Sequence, residues 1–178
     1  MFPLKPLLLI TFMMISTTNV IFDFTNTNDP LDWKIVDDVV MGGISNGAFK
    51  INTEGYGEFY GAVSVENNGG FSSARYRFQK NDLTSYSKFV LKVKGDGKNY
   101  QFRVKSNKYD YHSYITTIET TGAWQTIEIA FSEMYPAFRG REVIMTNYPA
   151  KKMEEIAFLI GNKKNERFKL EIASIKLK

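Results

Sequence analysis

The 178-residue sequence predicts an all-β fold, an antiparallel β-sandwich, and three observations carry that reading. Short segments alternate apolar and polar residues, as half-buried strands do. Thirteen glycines, with abundant Asn, Thr and Ser, punctuate those segments with turns. No segment sustains three turns of 3.6-residue period, so no long helix is expected. A composition of 43% hydrophobic and 15% aromatic residues belongs to a folded globule, and the length suits one well-buried core.

Residues 1–18 read as a leader. Lys5 gives a positive start, Leu7 to Ile15 form an apolar run of nine residues, and Ser16, Thr17 and Thr18 follow. Nine residues are too few for a helix to cross an apolar layer of about 30 Å. The segment therefore predicts export, to a periplasm or outside the cell, although no Ala-x-Ala cleavage site is present. The alternative is an uncleaved apolar arm, leaving the chain on a membrane surface or in the cytoplasm. Residues 19–178 are then expected to form one domain.

Within that domain Val20–Phe24 is the first β-rich run, and Thr25–Asp32 is turn-like, with Asn26, Asn28, Asp29 and Pro30. Trp33–Val36 and Ala48–Ile51 read as strands, as do Tyr56–Val65 and Ser72–Phe78. Between the last two, Asn67 to Gly70 all tolerate positive φ, which predicts a hairpin reversal. Gln79–Ser87 is polar and reads as a loop. Phe89, Leu91 and Val93 alternate with Val90, Lys92 and Lys94, then Gly95-Asp96-Gly97 turns the chain into Tyr100, Phe102 and Val104. Tyr111–Ile118 and Gln125–Phe131 follow. Ser132–Glu155, with Pro136 and Pro149 and no consistent period, reads as a long loop, a candidate functional rim element or a carrier of short helices. Ile156–Ile160 is apolar throughout, like a strand covered on both faces. In the last strand Phe168, Leu170 and Ile172 share a face, but Ile175 and Leu177 are one residue out of phase. A bulge near Ala173-Ser174 restores the register.

Composition excludes several chemistries. The absence of cysteine rules out disulfides, thiolate zinc sites and cysteine nucleophiles. The net charge of +4 is spread among interleaved acids and bases, so no nucleic-acid partner is expected. A single histidine, His112, excludes His-rich metal sites, and no Gly-x-Ser-x-Gly elbow accompanies it. Gly42-Gly43 and Gly69-Gly70 open no helix and precede no Gly-Lys-Ser/Thr, so no nucleotide or other cofactor is expected.

Two stretches hold more chemistry than turns require. The first is Trp33-x-Ile35-Val36-Asp37-Asp38-Val39-Val40-Met41-Gly42-Gly43-x-Ser45-x-Gly47. The second is Phe59-x-Gly61-x-Val63-Ser64-x-Glu66-Asn67-Asn68-Gly69-Gly70-Phe71-Ser72-Ser73-x-Arg75. Together with Phe158-Leu159-Ile160 and Phe168-Lys169-Leu170-Glu171-Ile172-x-Ser174-Ile175, they resemble the complex I intermediate-associated protein 30 family over about residues 20 to 178. The resemblance implies a galactose-binding-like jelly-roll sandwich and a non-catalytic role. Mitochondrial members of that family are chaperones for assembly of respiratory complex I, so a protein partner, a membrane-complex assembly intermediate, is implied. It supplies no catalytic set.

The binding candidates are Asp37, Asp38, Met41, Gly42, Gly43 and Ser45 with Glu66, Asn67, Asn68, Gly69, Gly70, Phe71, Ser72, Ser73 and Arg75, and the two loops are expected to touch. Arg75 reaching Asp37, Asp38 or Glu66 is the expected link, since guanidinium–carboxylate pairs are strong. Met41 is expected to pack under its turn. Asp37, Asp38 and Glu66 either converge as oxygen ligands for a hard cation, or the two aspartates cap turns while Glu66 pairs with Arg75 or Arg77. Glu66 with either aspartate also has the makings of a hydrolase carboxylate pair. Tyr109, Tyr111, Tyr114 and Trp124 suit either a sugar-stacking platform or ordinary cross-strand packing. The reading is a monomeric protein-binding domain, with an exported carbohydrate-binding module as alternative and a hydrolase third.

Overall fold

The computed structural model describes residues 19–24 and 32–178, without the side chains of 40, 41 and 79–81. Its first strands are β1 (Asn19–Asp23), β2 (Trp33–Asp37), β3 (Asn46–Ile51), β4 (Gly57–Val63) and β5 (Ser72–Asp82). Next come β6 (Lys88–Lys94), β7 (Asn99–Lys105), β8 (Ser113–Glu119) and β9 (Trp124–Ala130). The chain ends with β10 (Tyr135–Phe138), β11 (Arg141–Glu142), β12 (Lys152–Ile160) and β13 (Glu166–Leu177). The expected leader at 1–18 and most of the expected turn at Thr25–Asp32 lie outside the described residues.

Two antiparallel sheets pack face to face. One has the order β3-β4-β13-β6-β9, with β1 also pairing β13; the other runs β11-β10-β8-β7-β12-β5-β2. Apolar residues at alternate positions of both sheets meet between them. Trp33 of β2 stacks on Phe49 of β3 at 4.8 Å between ring centres and on Tyr76 of β5 at 5.5 Å. Farther along, Phe102 lies 5.1 Å from Phe89 across the sandwich and 5.4 Å from Phe158 beside it. This aromatic seam fixes the spacing of the sheets, since each ring fills volume that smaller side chains would leave void.

The expected bulge is present. In the ladder between β13 and β6, Ile172 opposes Val93 and Ser174 opposes Lys92, so Ala173 is the extra residue. That one-residue insertion returns Ile175 and Leu177 to the buried face.

Three expectations are corrected. The expected hairpin between Tyr56–Val65 and Ser72–Phe78 does not form: β4 belongs to one sheet and β5 to the other, and the segment between them crosses the edge of the sandwich. Its left-handed Asn67, Asn68 and Gly70 turn the chain around a buried side chain rather than around a two-residue reversal. The polar start of the expected loop at Gln79–Ser87 is instead the end of β5, held because Asp82 and Asn81 pair with Lys152 and Met153 of β12 across a register shift. The patternless Ser132–Glu155 contains β10, β11 and the start of β12, elements too short to show a period.

Deleting Ala173 is expected to throw Ile175 and Leu177 out of the core and to cost about 3–6 kcal/mol, the burial of two aliphatic side chains. Urea unfolding reads this directly, and wild-type stability in the deletion would contradict the register.

Candidate functional site

The two sequence motifs meet at one buried carboxylate. Asp38 follows β2 directly, in a single 3-10 turn over Asp38–Met41, and its side chain is 0% exposed. Oδ1 accepts the Ser45 amide at 3.1 Å. Oδ2 accepts the Ser45 hydroxyl at 2.6 Å, the Gly70 amide at 2.5 Å and the Phe71 amide at 3.1 Å. The Ser45 hydroxyl accepts in turn from the Ser64 amide at 3.0 Å. Asp38 thus ties the loop after β2 to the segment that crosses from β4 to β5.

The glycines make this approach possible. A Cβ on Gly43 would lie 2.2 Å from Asp38 Oδ1, and one on Gly69 would lie 2.6 Å from Oδ2, so neither position admits a side chain. Gly70 donates its amide from φ +135°, a conformation that side chains resist. Gly42 closes the 3-10 turn, donating to Val39 O at 2.9 Å. Beside it Asp37 Oδ2 accepts the Gly47 amide at 3.0 Å. Burial raises the Asp38 carboxyl, but the hydrogen bonds from Ser45, Gly70 and Phe71 outweigh it and hold the group below its ordinary range.

Placed one by one, Glu66, Asn67 and Asn68 are exposed, Gly69, Gly70 and Phe71 are half-buried, and Ser72 and Ser73 are buried. The expected packing of the Met41 side chain lies outside the described residues. Arg75 does not make the expected link. It sits on the outward face of β5, opposite Lys34 and Ala157, with Glu155 and Arg77 as charged neighbours. The backbone amides of Gly70 and Phe71 reach the carboxylate instead, because the left-handed loop turns them inward. Neither aspartate caps the 3-10 turn as expected: Asp37 precedes it without a side-chain cap hydrogen bond and accepts the Gly47 amide instead, while Asp38 accepts from Ser45, Gly70 and Phe71. Arg77 bonds Glu155 at 2.6 Å rather than Glu66. Four donors occupy the Asp38 oxygens, and among the described residues no group of three His, Asp or Glu is placed to hold a metal ion.

The four candidate aromatics are divided. Tyr109 and Tyr111 are exposed before β8, Tyr114 is buried, and Trp124 lies on the other sheet against Tyr56 at 4.7 Å. His112 is buried between the rings of Tyr111 and Tyr114, at 5.0 and 5.1 Å. Sequence reasoning missed Val39, Ile44 and Val65, which are 61%, 54% and 41% exposed on the loops that Asp38 joins. Apolar residues inside Gly- and Asn-rich turns were the available signal.

The sequence profile described as Complex I intermediate-associated protein 30 matches residues 22–172. The chain belongs to that family. A curated relative, the mitochondrial Complex I intermediate-associated protein 30 of Drosophila melanogaster, is 28% identical over 147 residues, covering 70% of this chain and 49% of that protein. The chain therefore spans about half the length of the curated relative it matches. Among solved structures, a family 11 carbohydrate-binding module from Clostridium thermocellum superposes with TM-score 0.64 at 19% identity, covering 90% of this chain and 94% of that one. The family 11 module of the cellulosomal cellulase Lic26A-Cel5E of Clostridium thermocellum gives 0.67 at 17%, covering 92% and 95%. At such identities the likeness shows the fold, a galactose-binding-like jelly roll.

The export reading is overturned by the family relative, whose name places that protein in mitochondria. The expectation rested on a short apolar run behind one lysine, with no Ala-x-Ala cleavage site to support it.

Replacing Asp38 with Ala strands buried amides, and with Asn it sets an amide donor against them; each is expected to cost about 3 kcal/mol or more. The folded carboxyl lies below its ordinary 3.8. The unfolded chain therefore takes up the proton first, so the stabilisation is complete above pH 3.8 and is lost as pH falls through the folded value. Urea midpoints of wild type and Asp38→Asn should converge in that acid range. Parallel pH curves would contradict the assignment.

Proposed function

We infer that this chain is a non-catalytic binding domain that holds a protein partner, an assembly intermediate of a membrane-bound respiratory complex. One observation carries the reading: Val39, Ile44 and Val65 are exposed apolar side chains on loops that a buried carboxylate joins. A surface fixed before binding loses little conformational freedom on docking, which favours affinity at modest contact area. Membership of the complex I intermediate-associated protein 30 family supports the choice of partner, as does the name of the Drosophila melanogaster relative. The absence of a role in catalysis is part of the proposal, because Asp38 spends its oxygens on loop amides rather than facing a substrate. The carbohydrate reading rests on the likeness to carbohydrate-binding modules and on exposed Tyr109 and Tyr111.

Affinity purification of the tagged full-length chain from its source cells, followed by mass spectrometry, is expected to recover subunits of respiratory complex I. The combined Val39→Ser, Ile44→Ser and Val65→Ser changes should reduce that recovery by about tenfold, as loss of a central apolar contact does. Recovery unchanged by the three substitutions would contradict the surface. Glycan binding lost on Tyr109→Ala and Tyr111→Ala, without complex I subunits, would contradict the function.

A further inference from the structure

The outward face of the second sheet carries a charge pattern that the loop surface does not use. On β5, β12 and β7 the core takes Ala74, Ile156, Phe158, Phe102 and Val104, with the partly buried Tyr76 packed against it, so the residues between them point the other way. Register then sets two rows. Arg75 opposes Ala157, which opposes Arg103, and Lys34 extends that row on β2. In the next row Arg77 opposes Glu155, which opposes Lys105. These rows hold five cations and a single carboxylate, Glu155, with Asp110 beyond Lys105.

The carboxylate neutralises little of this charge. Glu155 is buried and accepts from Arg77 Nε at 2.6 Å. Arg103 donates Nε and Nη2 to a neutral acceptor, Gln101 Oε1, at 3.0 and 2.6 Å. Lys105 donates to the backbone carbonyl of Asp110. Burial holds the Arg103 guanidinium down at about 10, and repulsion from Arg75 adds to it. Burial also depresses Arg75 and Lys105. Half-buried like charges beside one another are poorly solvated, and an anion brought among them relieves their mutual repulsion and favours their charged forms. Between the cations the floor is apolar and buried, with Ala157, Leu159 and Ile115. Ser73, on the same face of β5, is buried with a hydroxyl that has no hydrogen-bond partner.

We propose that this face is a recognition groove for an acidic polypeptide segment, lying extended along β7 and β12 with carboxylates at alternate residues. Alternate residues of an extended chain are about 6.8 Å apart, the same step that separates Arg103 from Lys105 and Arg75 from Arg77 along their strands. Guanidinium groups bind carboxylates through two parallel hydrogen bonds, and the apolar floor receives the small side chains between them. A flat bilayer meets outermost atoms, whereas Arg75, Arg103 and Lys105 are half-buried here over a closed floor, with Lys34 and Arg77 exposed at its border. A single-stranded nucleic acid draws on stacked rings, and Tyr135, at the end of the Arg75 row, is the aromatic residue these rows supply among the described residues. The proposal rests on the reading of this chain as a protein-binding domain and supplies the chemistry of the partner.

Fluorescence anisotropy with the full chain tests it, using a labelled peptide of alternating glutamate and alanine, its glutamine counterpart, and a single-stranded oligonucleotide of equal charge. The glutamate peptide should bind and the glutamine peptide should not. Arg75→Gln with Arg103→Gln should weaken binding by about tenfold or more, while Lys92→Gln on the other sheet should not. Amide shifts in the unsubstituted protein make the test independent of whether the variants fold: they should cluster at Arg75, Arg103, Glu155 and Ala157. No peptide binding, equal binding of the glutamine peptide, tighter binding of the oligonucleotide, or shifts elsewhere would each overturn the groove. Failure of peptide binding while complex I subunits still co-purify removes the groove and leaves the assembly reading standing.

Discussion

Asp38 is the constraint on which the loop architecture depends. A carboxylate with no exposed surface is costly to desolvate, and it survives here because four donors from two distant segments converge on it. The converse also holds. The amides of Gly70 and Phe71 point inward because a charge sits there to receive them, and the glycines at 43 and 69 are the space that charge occupies. Charge, backbone shape and residue choice are one arrangement, so no member can change alone.

The same arrangement explains why the chain crosses from one sheet to the other between β4 and β5. A segment that leaves a sheet edge loses its ladder partners and must find others. Here the side chains of Asp38, Ser64 and Asn165 supply them, accepting from Gly70 and Phe71, from Glu66 and from Val65. Val39 and Val65, kept out of the core by this path, remain on the surface with Ile44. The groove on the second sheet has a different origin, in strand alternation and register, and it meets the loop surface only through β2 and β5, two of the strands that flank those loops.

Much of this was legible in the sequence. Strands with clean alternation, such as Phe89–Val93 and Tyr100–Val104, lie where the pattern placed them, and the phase error after Ile172 located the bulge. The meeting of the two motifs was legible as well, but its agent was not. Arg75 looked like the link because charge pairing between side chains can be read from residue types, whereas a carboxylate bonded to backbone amides leaves no partner residue to find. The hairpin was misread for a related reason. Asn67 to Gly70 tolerate positive φ in any tight loop, and local conformation says nothing about which sheet the next strand joins. The short strands β10 and β11 fall below the length at which a period shows. The compartment was misread from a short apolar run with no Ala-x-Ala cleavage site behind it.

Hydrogen exchange of the Gly70 and Phe71 amides in the native protein tests the central claim most directly. If Asp38 fixes the crossing segment, both amides exchange slowly and only with global unfolding, in step with core amides such as that of Phe158. Exchange at the rate of open loop amides, with the core still protected, would contradict the account.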